Sequence, residues 1–408
     1  MIETDSSHQP LVVEDLDADW LLSLCEDTET ESRRVERRRL RCALQWARLH
    51  PADPTDAAKG HVETVGGEGT PAVEEFTAEP LAAAFGITAH SALQLISDAL
   101  DLAYRLPLTW ARVEALEVPG WRARRIAQAT TGLTIEQAAA VDAVLAPKAD
   151  RCGTRAIERA IAEATEVPVQ EKTEALDRSH WQVRLYHGPM TGPGRWAGTS
   201  ILEITGDTND LSHLYQQIAT AAASIDTDDP LEVRQAMAVG VLARKMTGGR
   251  PPRVRLYLHA RLADLTDETI GTGSVERLGP LTMSRIRDWV GHSAVTILPV
   301  LRMDRADAVD QHDPPTWMRE QVILRDRHCV HPYCQTDARS CDLDHSIEWP
   351  IGPTAPWNLA PLCRRHHRAK TRRRWRYRRE PDGSYTWTGP HGRRYRVTAE
   401  GTEPLPPA

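Results

Sequence analysis

The sequence predicts an α+β protein: a mostly helical N-terminal domain with a small mixed α/β part, followed by a compact zinc-stabilised C-terminal module. Three observations carry this. Apolar residues recur at helical spacing between about residues 81 and 166. After residue 181 the pattern changes to short alternating segments separated by turn residues. Four of the seven cysteines fall in one window of about 45 residues, at 329, 334, 341 and 363.

The elements follow in order. Residues 1–17 read as a flexible start. Leu21, Leu24, Leu40, Ala43, Leu44, Trp46 and Ala47 place a helix ending at Pro51. Residues 51–78, rich in Pro, Gly, Thr and acids, read as a linker. A helical block then runs from about Pro80 to Glu166: Leu81–Phe85 and Leu93–Ala103 form helical stripes, Pro107 opens a helix with Trp110, Val113 and Leu116 on one face, Trp121, Ile126 and Ala129 continue, Thr134 begins a helix through Leu145, and residues 154–166 give one more. Within it, the Ala-rich stretch 81–85, Gly86 at a turn and Ser91-Ala92-Leu93 suit either a packed helical hairpin, which we favour, or a helix-turn-helix.

Strands are expected over Trp181–Tyr186, Thr199–Ile204, Arg253–His259 and Val295–Val300. Helices are expected over Asp210–Ala223, Leu231–Met246 and Leu281–Val290. The loop Thr247–Pro252 lacks the Lys-Ser/Thr ending of a phosphate-binding loop, so no nucleotide cofactor is expected. The 18–312 span reads as one domain and 313–398 as the terminal module. In that module a helix over Trp317–Arg325 precedes the cysteine window and a hairpin around Pro381-Asp382-Gly383 follows it. Residues 399–408 are expected to be a disordered tail.

The 408 residues carry a net charge of −7, yet Arg364–Arg379 holds ten basic residues and no acidic one. A basic run on an acidic protein points to a discrete nucleic-acid contact surface. No run of about 18 apolar residues occurs, so no membrane span is expected. The N-terminus lacks the basic and apolar regions of a signal peptide. A reducing, cytoplasmic setting is the expectation, where clustered cysteines bind metal rather than pair as disulfides.

Cys329-x4-Cys334 and Cys363-x-x-His366 have the spacing of two zinc knuckles, and four S/N ligands suit a closed structural zinc site. Cys341 is a rival ligand. Asp344 and His367 suit a harder ion, Mg²⁺ or Mn²⁺. His345, next to Asp344 on a strand, points to the opposite side and is suited to take a proton from water. Asn358 precedes Leu359-Ala360-Pro361-Leu362, read as a helix start. It would cap that helix or pin the loop behind the base.

The order Cys-x4-Cys, Asp344-His345, Asn358, Cys-x-x-His-His, Lys370 over residues 325–371 resembles the HNH endonuclease family. That family more often has Cys where His366 stands, and a proline nearer the Asp-His pair than Pro350. The segments Ala43–His50, Arg105–Pro107 with Trp110-Ala111, Trp121–Ile126 and Pro315–Arg319 resemble the actinobacterial DUF222 (13E12 repeat) proteins, which commonly end in an HNH module.

The resemblance implies a ββα-metal fold and hydrolysis of DNA phosphodiesters. It implies His345 as general base and one divalent ion held by Asp344 and His367. Arg364, Arg365, Arg368, Lys370, Arg372, Arg373 and Arg374 would contact backbone phosphates. The alternative is a non-catalytic zinc-stabilised DNA-binding protein, of mobile-element origin on one reading.

Overall fold

The computed structural model describes residues 13–53, 62–165, 178, 181–187, 200–246, 258–259, 272–275, 279–284, 286–287, 303–373 and 375–406. They divide into two compact units, Met1–Glu166 with Leu301–Ala408, and Val167–Val300. This corrects the expected division at residue 312. The helical N-terminal segment belongs with the C-terminal module, and the mixed α/β segment is inserted between them.

The first unit opens with α1 (Ala18–Leu49), capped by the Asp17 carboxylate. Its buried residues Leu40, Ala43, Leu44 and Ala47 recur at i, i+3, i+4 and i+7, and so line one face. The expected linker is only partly one. Residues 54–61 lie outside the described residues, but β1 (Val62–Glu63) pairs with β2 (Val73–Glu74), and Val73 and Phe76 are buried.

Next come α2 (Ala78–Phe85), α3 (Ala89–Tyr104), α4 (Pro107–Glu114), α5 (Gly120–Thr130), α6 (Ile135–Leu145) and α7 (Thr154–Ala164). Gly86 ends α2 in the left-handed conformation (φ 67°) that a side chain would resist. Thr88 caps α3 and a Thr134/Gln137 capping box opens α6. Leu81, Ala82 and Ala92, in the stretch that also suited a helix-turn-helix, are buried in the shared core.

The core also holds a fully buried ion pair. Arg105 Nη1 donates to Asp101 Oδ1 at 3.0 Å, with both side chains 0% exposed. Asp101 also accepts from Gly67 N at 2.9 Å, which ties the loop after β1 to α3.

In the second unit, β3 (Gln182–His187) pairs with β4 (Ser200–Thr205). Helices α8 (Thr208–Ala223) and α9 (Leu231–Met246) pack through Ala221, Ala222 and Ala238. Strands β5 (Leu258–His259), β6 (Thr272–Val275) and β7 (Gly279–Thr282) form a sheet. The helix expected over Leu281–Val290 therefore starts later, because Leu281 pairs with Gly273. The expected strand at Val295–Val300, the loop 247–252 and most of Arg253–His259 lie outside the described residues.

The C-terminal part returns to the first unit with α10 (Thr316–Asp326), β8 (Asp342–His345), β9 (Leu359–Leu362) and α11 (Arg364–Arg373). Strands β8 and β9 are antiparallel with Asp344 opposite Ala360. Leu359–Leu362 is thus a strand and not a helix start. All four of its residues are buried, and a fully buried four-residue apolar run suits a strand as well as a helix.

The expected hairpin is half of a four-stranded meander: β10 (Arg376–Arg379), β11 (Tyr385–Thr388), β12 (Arg394–Val397) and β13 (Thr402–Leu405). The expected disordered tail is corrected accordingly, since Thr402–Leu405 pairs with Arg394–Val397. Trp375, Trp387, Tyr377, Tyr385 and Tyr395 fill the core of this part, joined by Phe76 and Ala83 from the N-terminal segment. No helix among the described residues is long and apolar enough to cross a membrane.

Candidate metal centre and acid-base cluster

The turn after α10 and the start of α11 bring together Cys329, Cys334, Cys363 and His366, whose ligand atoms all lie within 4.8 Å of one another. The Cys329 N–H donates to Thr336 O at 2.8 Å and the Cys334 N–H to His331 O at 3.1 Å, which folds the knuckle. His366 Nδ1 lies 3.2 Å from Cys363 Sγ and 3.5 Å from Cys329 Sγ. Tetrahedral ligands at zinc bond lengths stand about 3.5 Å apart, so this cluster can hold a metal such as zinc.

Burial pushes the Cys329 thiol up, whereas hydrogen bonds from Cys329 and Cys363 bring Cys334 down to about 3. The rival ligand Cys341 is buried beside this group but sends its thiol to Asp337 O at 3.4 Å. His331, which the sequence reading passed over, stacks on His366 with ring centroids 3.8 Å apart. Burial, and then the neighbouring His366, keep His331 neutral.

Strand β8 sorts the acid-base residues by its alternation. Asp344 Oδ1 faces His367 Nε2 at 3.2 Å. Its Oδ2 accepts from Lys370 Nζ and from the Tyr377 hydroxyl, each at 2.7 Å. Burial alone would raise the Asp344 carboxyl, but His367, Lys370 and Tyr377 together hold it below its usual value. The other nitrogen of His367, Nδ1, meets Asp342 Oδ2 at 3.1 Å. The Asp344 hydrogen bond, then Asp342, raise the His367 pKa against the effect of burial.

His345 lies on the opposite side of β8. Its Nε2 is 2.8 Å from the Thr354 hydroxyl. That hydroxyl donates to His312 O at 3.2 Å, so it accepts from His345 Nε2–H and leaves Nδ1 as the basic nitrogen. Burial, then the neighbouring His312, lower the His345 pKa, so the ring is neutral at pH 7. Asn358 pins the following loop. Its Oδ1 accepts from Ile347 N at 2.8 Å, and its Nδ2 donates to Ile347 O and Pro353 O, each at 2.9 Å. Of the two roles considered for Asn358, the loop brace is the one present.

The side chains of the basic helix meet carboxylates of the chain itself. Lys370 is turned inward, bonding Asp344 and also His345 O at 2.9 Å. Arg365 donates to Glu63 at 2.6 Å and to the fully buried Glu79. Burial would lower the Arg365 pKa, yet these two carboxylates hold it above the usual guanidinium value.

Arg368 and Arg372 both reach Glu75, and Arg364 reaches Asp342 at 2.9 Å. Phe76 lies beneath Arg365 and Arg368 at 5.5 and 5.4 Å. Arg373 closes α11, and Arg374 lies outside the described residues.

Besides His331, the residues missed were Asp342, Thr354, His312 and Tyr377. Only Asp342 had a sequence signal, because its place two before Asp344 puts both carboxylates on one strand face. The partners of the others come from loops and strands distant in sequence.

No family model matches this chain, and no solved structure matches it. Curated relatives come from Mycobacterium tuberculosis. "Uncharacterized protein MT2160" of strain CDC 1551 / Oshkosh and "Uncharacterized protein Rv2100" of strain ATCC 25618 / H37Rv are each 39% identical over 129 residues. That match covers 31% of this chain and 22% of each relative. "Uncharacterized protein Rv3776" of the latter strain is 43% identical over 83 residues, 20% of this chain and 16% of its own. The chain thus matches less than a quarter of the length of these relatives.

Proposed function

We propose that the C-terminal part is a metal-dependent endonuclease of the HNH type, hydrolysing DNA phosphodiester bonds. The observation that carries this is the pairing of Asp344 Oδ1 with His367 Nε2 at 3.2 Å, beside a neutral His345 whose Nδ1 has no hydrogen-bond partner among the described residues. Two cis ligands of an octahedral Mg²⁺ or Mn²⁺, each about 2.1 Å from the ion, stand about 3 Å apart. Asp344 Oδ2 is already held by Lys370 and Tyr377, so Oδ1 is the oxygen left to share. Asp342 binds His367 Nδ1–H and so leaves the Nε2 lone pair for a metal, an arrangement common around ligating histidines.

A divalent ion bound there supplies Lewis-acid charge neutralisation at the scissile phosphate and its departing 3′-oxygen. The chain's own residues do the rest. His345 Nδ1 accepts the proton of the attacking water. Thr354 and the His312 carbonyl hold the ring in the correct tautomer. Asn358 fixes the loop that follows the base, and the Cys/His centre, carrying zinc, holds the start of α11 and thereby His367.

A second reading draws on Lys370. Its ammonium lies 2.7 Å from Asp344, where it competes with a divalent ion, as suits a zinc-stabilised DNA-binding module without hydrolysis. Plasmid nicking in Mg²⁺ or Mn²⁺ separates the two. The nuclease nicks supercoiled DNA and loses this in His345→Ala, which keeps its zinc and its fold. Wild-type protein that binds DNA but nicks it with neither metal decides for the binding module.

A further inference from the structure

Arg365 of α11 is held by Glu63 and Glu79, Arg368 and Arg372 share Glu75, and Arg364 meets Asp342, so much of the positive charge of α11 is met by carboxylates of the chain itself. Further positive charge lies on α1. Residues 33–48 contain seven arginines and a single carboxylate, Glu36. Arg34, Arg37, Arg38, Arg41 and Arg48 stand at i, i+3, i+4, i+7 and i+14, so they share one helix face. They line a groove of about 740 Å³ walled by Trp46 and Trp110, in which Glu114 is the one acid among the described residues.

Unlike their counterparts on α11, Arg34 and Arg38 are exposed and have no carboxylate partner among the described residues. Arg37 is anchored without being neutralised, because its partner is the Glu114 backbone carbonyl at 2.7 Å. Arg41, 63% exposed, approaches the Glu114 carboxylate only to 3.8 Å. Exposed pairs of that length contribute little and are displaced by a stronger anion.

The groove also has a physical connection to the candidate nuclease part. The Trp46 ring lies 5.4 Å from that of His391, in the turn between β11 and β12. Thr388 and Arg394, which flank that turn, line a second basic recess with Arg376 and Arg378.

We propose that the arginine groove of α1 binds the phosphate backbone of the DNA duplex on which the C-terminal part acts. This inference rests on the endonuclease reading for its ligand, but it has its own readout. Contacts from arginine to phosphate release counterions, so affinity falls steeply with salt and carries no base preference.

The test measures binding of the full chain to a fluorescein-labelled DNA duplex by anisotropy across a salt series. It compares wild type with combined Arg34→Ala, Arg38→Ala and Arg41→Ala, and with a charge-matched control of Arg151→Ala, Arg155→Ala and Arg159→Ala. The expected result is a groove variant with unchanged thermal unfolding whose log–log salt slope is shallower by about 2.7, at about 0.9 per lost contact. The control stays within a few-fold of wild type.

A folded groove variant with wild-type affinity and slope overturns the inference. So does an equal loss in the control, or no binding of DNA by wild type. A duplex RNA of the same length that competes equally well overturns the DNA assignment. Nicking by wild type has no bearing on these outcomes: a protein that binds DNA through α1 and never nicks it retains the groove and loses the nuclease.

Discussion

Replacing Glu79 by alanine tests whether the N-terminal helices and the C-terminal part fold as one body. Glu79 sits in the first turn of α2 with its side chain 0% exposed, paired to Arg365, whose side chain is 30% exposed. Removing one partner of a fully buried pair strands the other and costs about 3–5 kcal/mol. Two features lower that figure here. Arg365 keeps Glu63 at 2.6 Å, and it has partial access to water.

A loss of about 2–3 kcal/mol is therefore expected, in the range of one charged hydrogen bond removed from a buried site. The cost should be felt on both sides of the contact, because Phe76 and Ala83 of the N-terminal segment are buried in the same core as Trp375 and Trp387. Urea unfolding is followed by far-UV circular dichroism, which is dominated by the helices, and by fluorescence of a variant in which Trp46, Trp110 and Trp121 of the N-terminal helices are replaced by Phe, so that the buried Trp375 and Trp387 weigh more in the signal. Both midpoints should fall together. A change under about 0.5 kcal/mol, or a fluorescence midpoint that does not move while the helical one does, would refute the reasoning.

Three further outcomes follow from the site. Cys363→Ser should strip most of the bound zinc, measured by elemental analysis, and lower the fluorescence-detected unfolding midpoint, because a metal staple contributes folding free energy directly; full zinc with unchanged stability would remove the four-ligand assignment. Asp342→Asn should raise the Mn²⁺ concentration for half-maximal nicking about 10–100-fold and leave the rate at saturating metal nearly intact, since it weakens the hold on His367 Nδ1 and not the base. Asp344 has a folded pKa held below its unfolded value of about 3.9, so its contribution is present above that pH and lost as pH falls through the folded pKa. Tyr377→Phe removes one hydrogen bond to the charged form, and the acid-unfolding midpoint, followed by circular dichroism, should move to higher pH.

Much of the site was legible because it is compact in sequence. Cys329, Cys334, Cys363 and His366 span fewer than 40 residues and have knuckle spacing, and the structure brings their ligand atoms together. Asp344 meets His367, Lys370 and Tyr377 while His345 meets Thr354, as the alternation of adjacent strand residues predicts. The helices from 81 to 166 followed from apolar period and capping residues, which are local signals.

What was not legible depended on packing. Leu359–Leu362 has a pattern that a buried strand and a helix share, and the pairing with β8 decides between them. Residues 402–405 carry Pro and Glu and look like tail, yet the edge of β12 gives their backbone a partner. Thr354 and Tyr377 have no motif, and they reach the site only because the loop after β8 and strand β10 lie against it.

The charge tells the same story in its clearest form. Composition makes Arg364–Arg379 the densest basic run, whereas the arginines of α1 follow closely on the acids Glu26, Asp27, Glu29 and Glu31. The sequence by itself determined where positive charge is dense, because that is a property of neighbours along the chain. Only the tertiary structure decided which of those charges remain available, because a guanidinium is neutralised by whichever carboxylate is packed against it. For Arg365 that carboxylate is Glu79, 286 residues away. For Arg34 and Arg38 the described residues provide none.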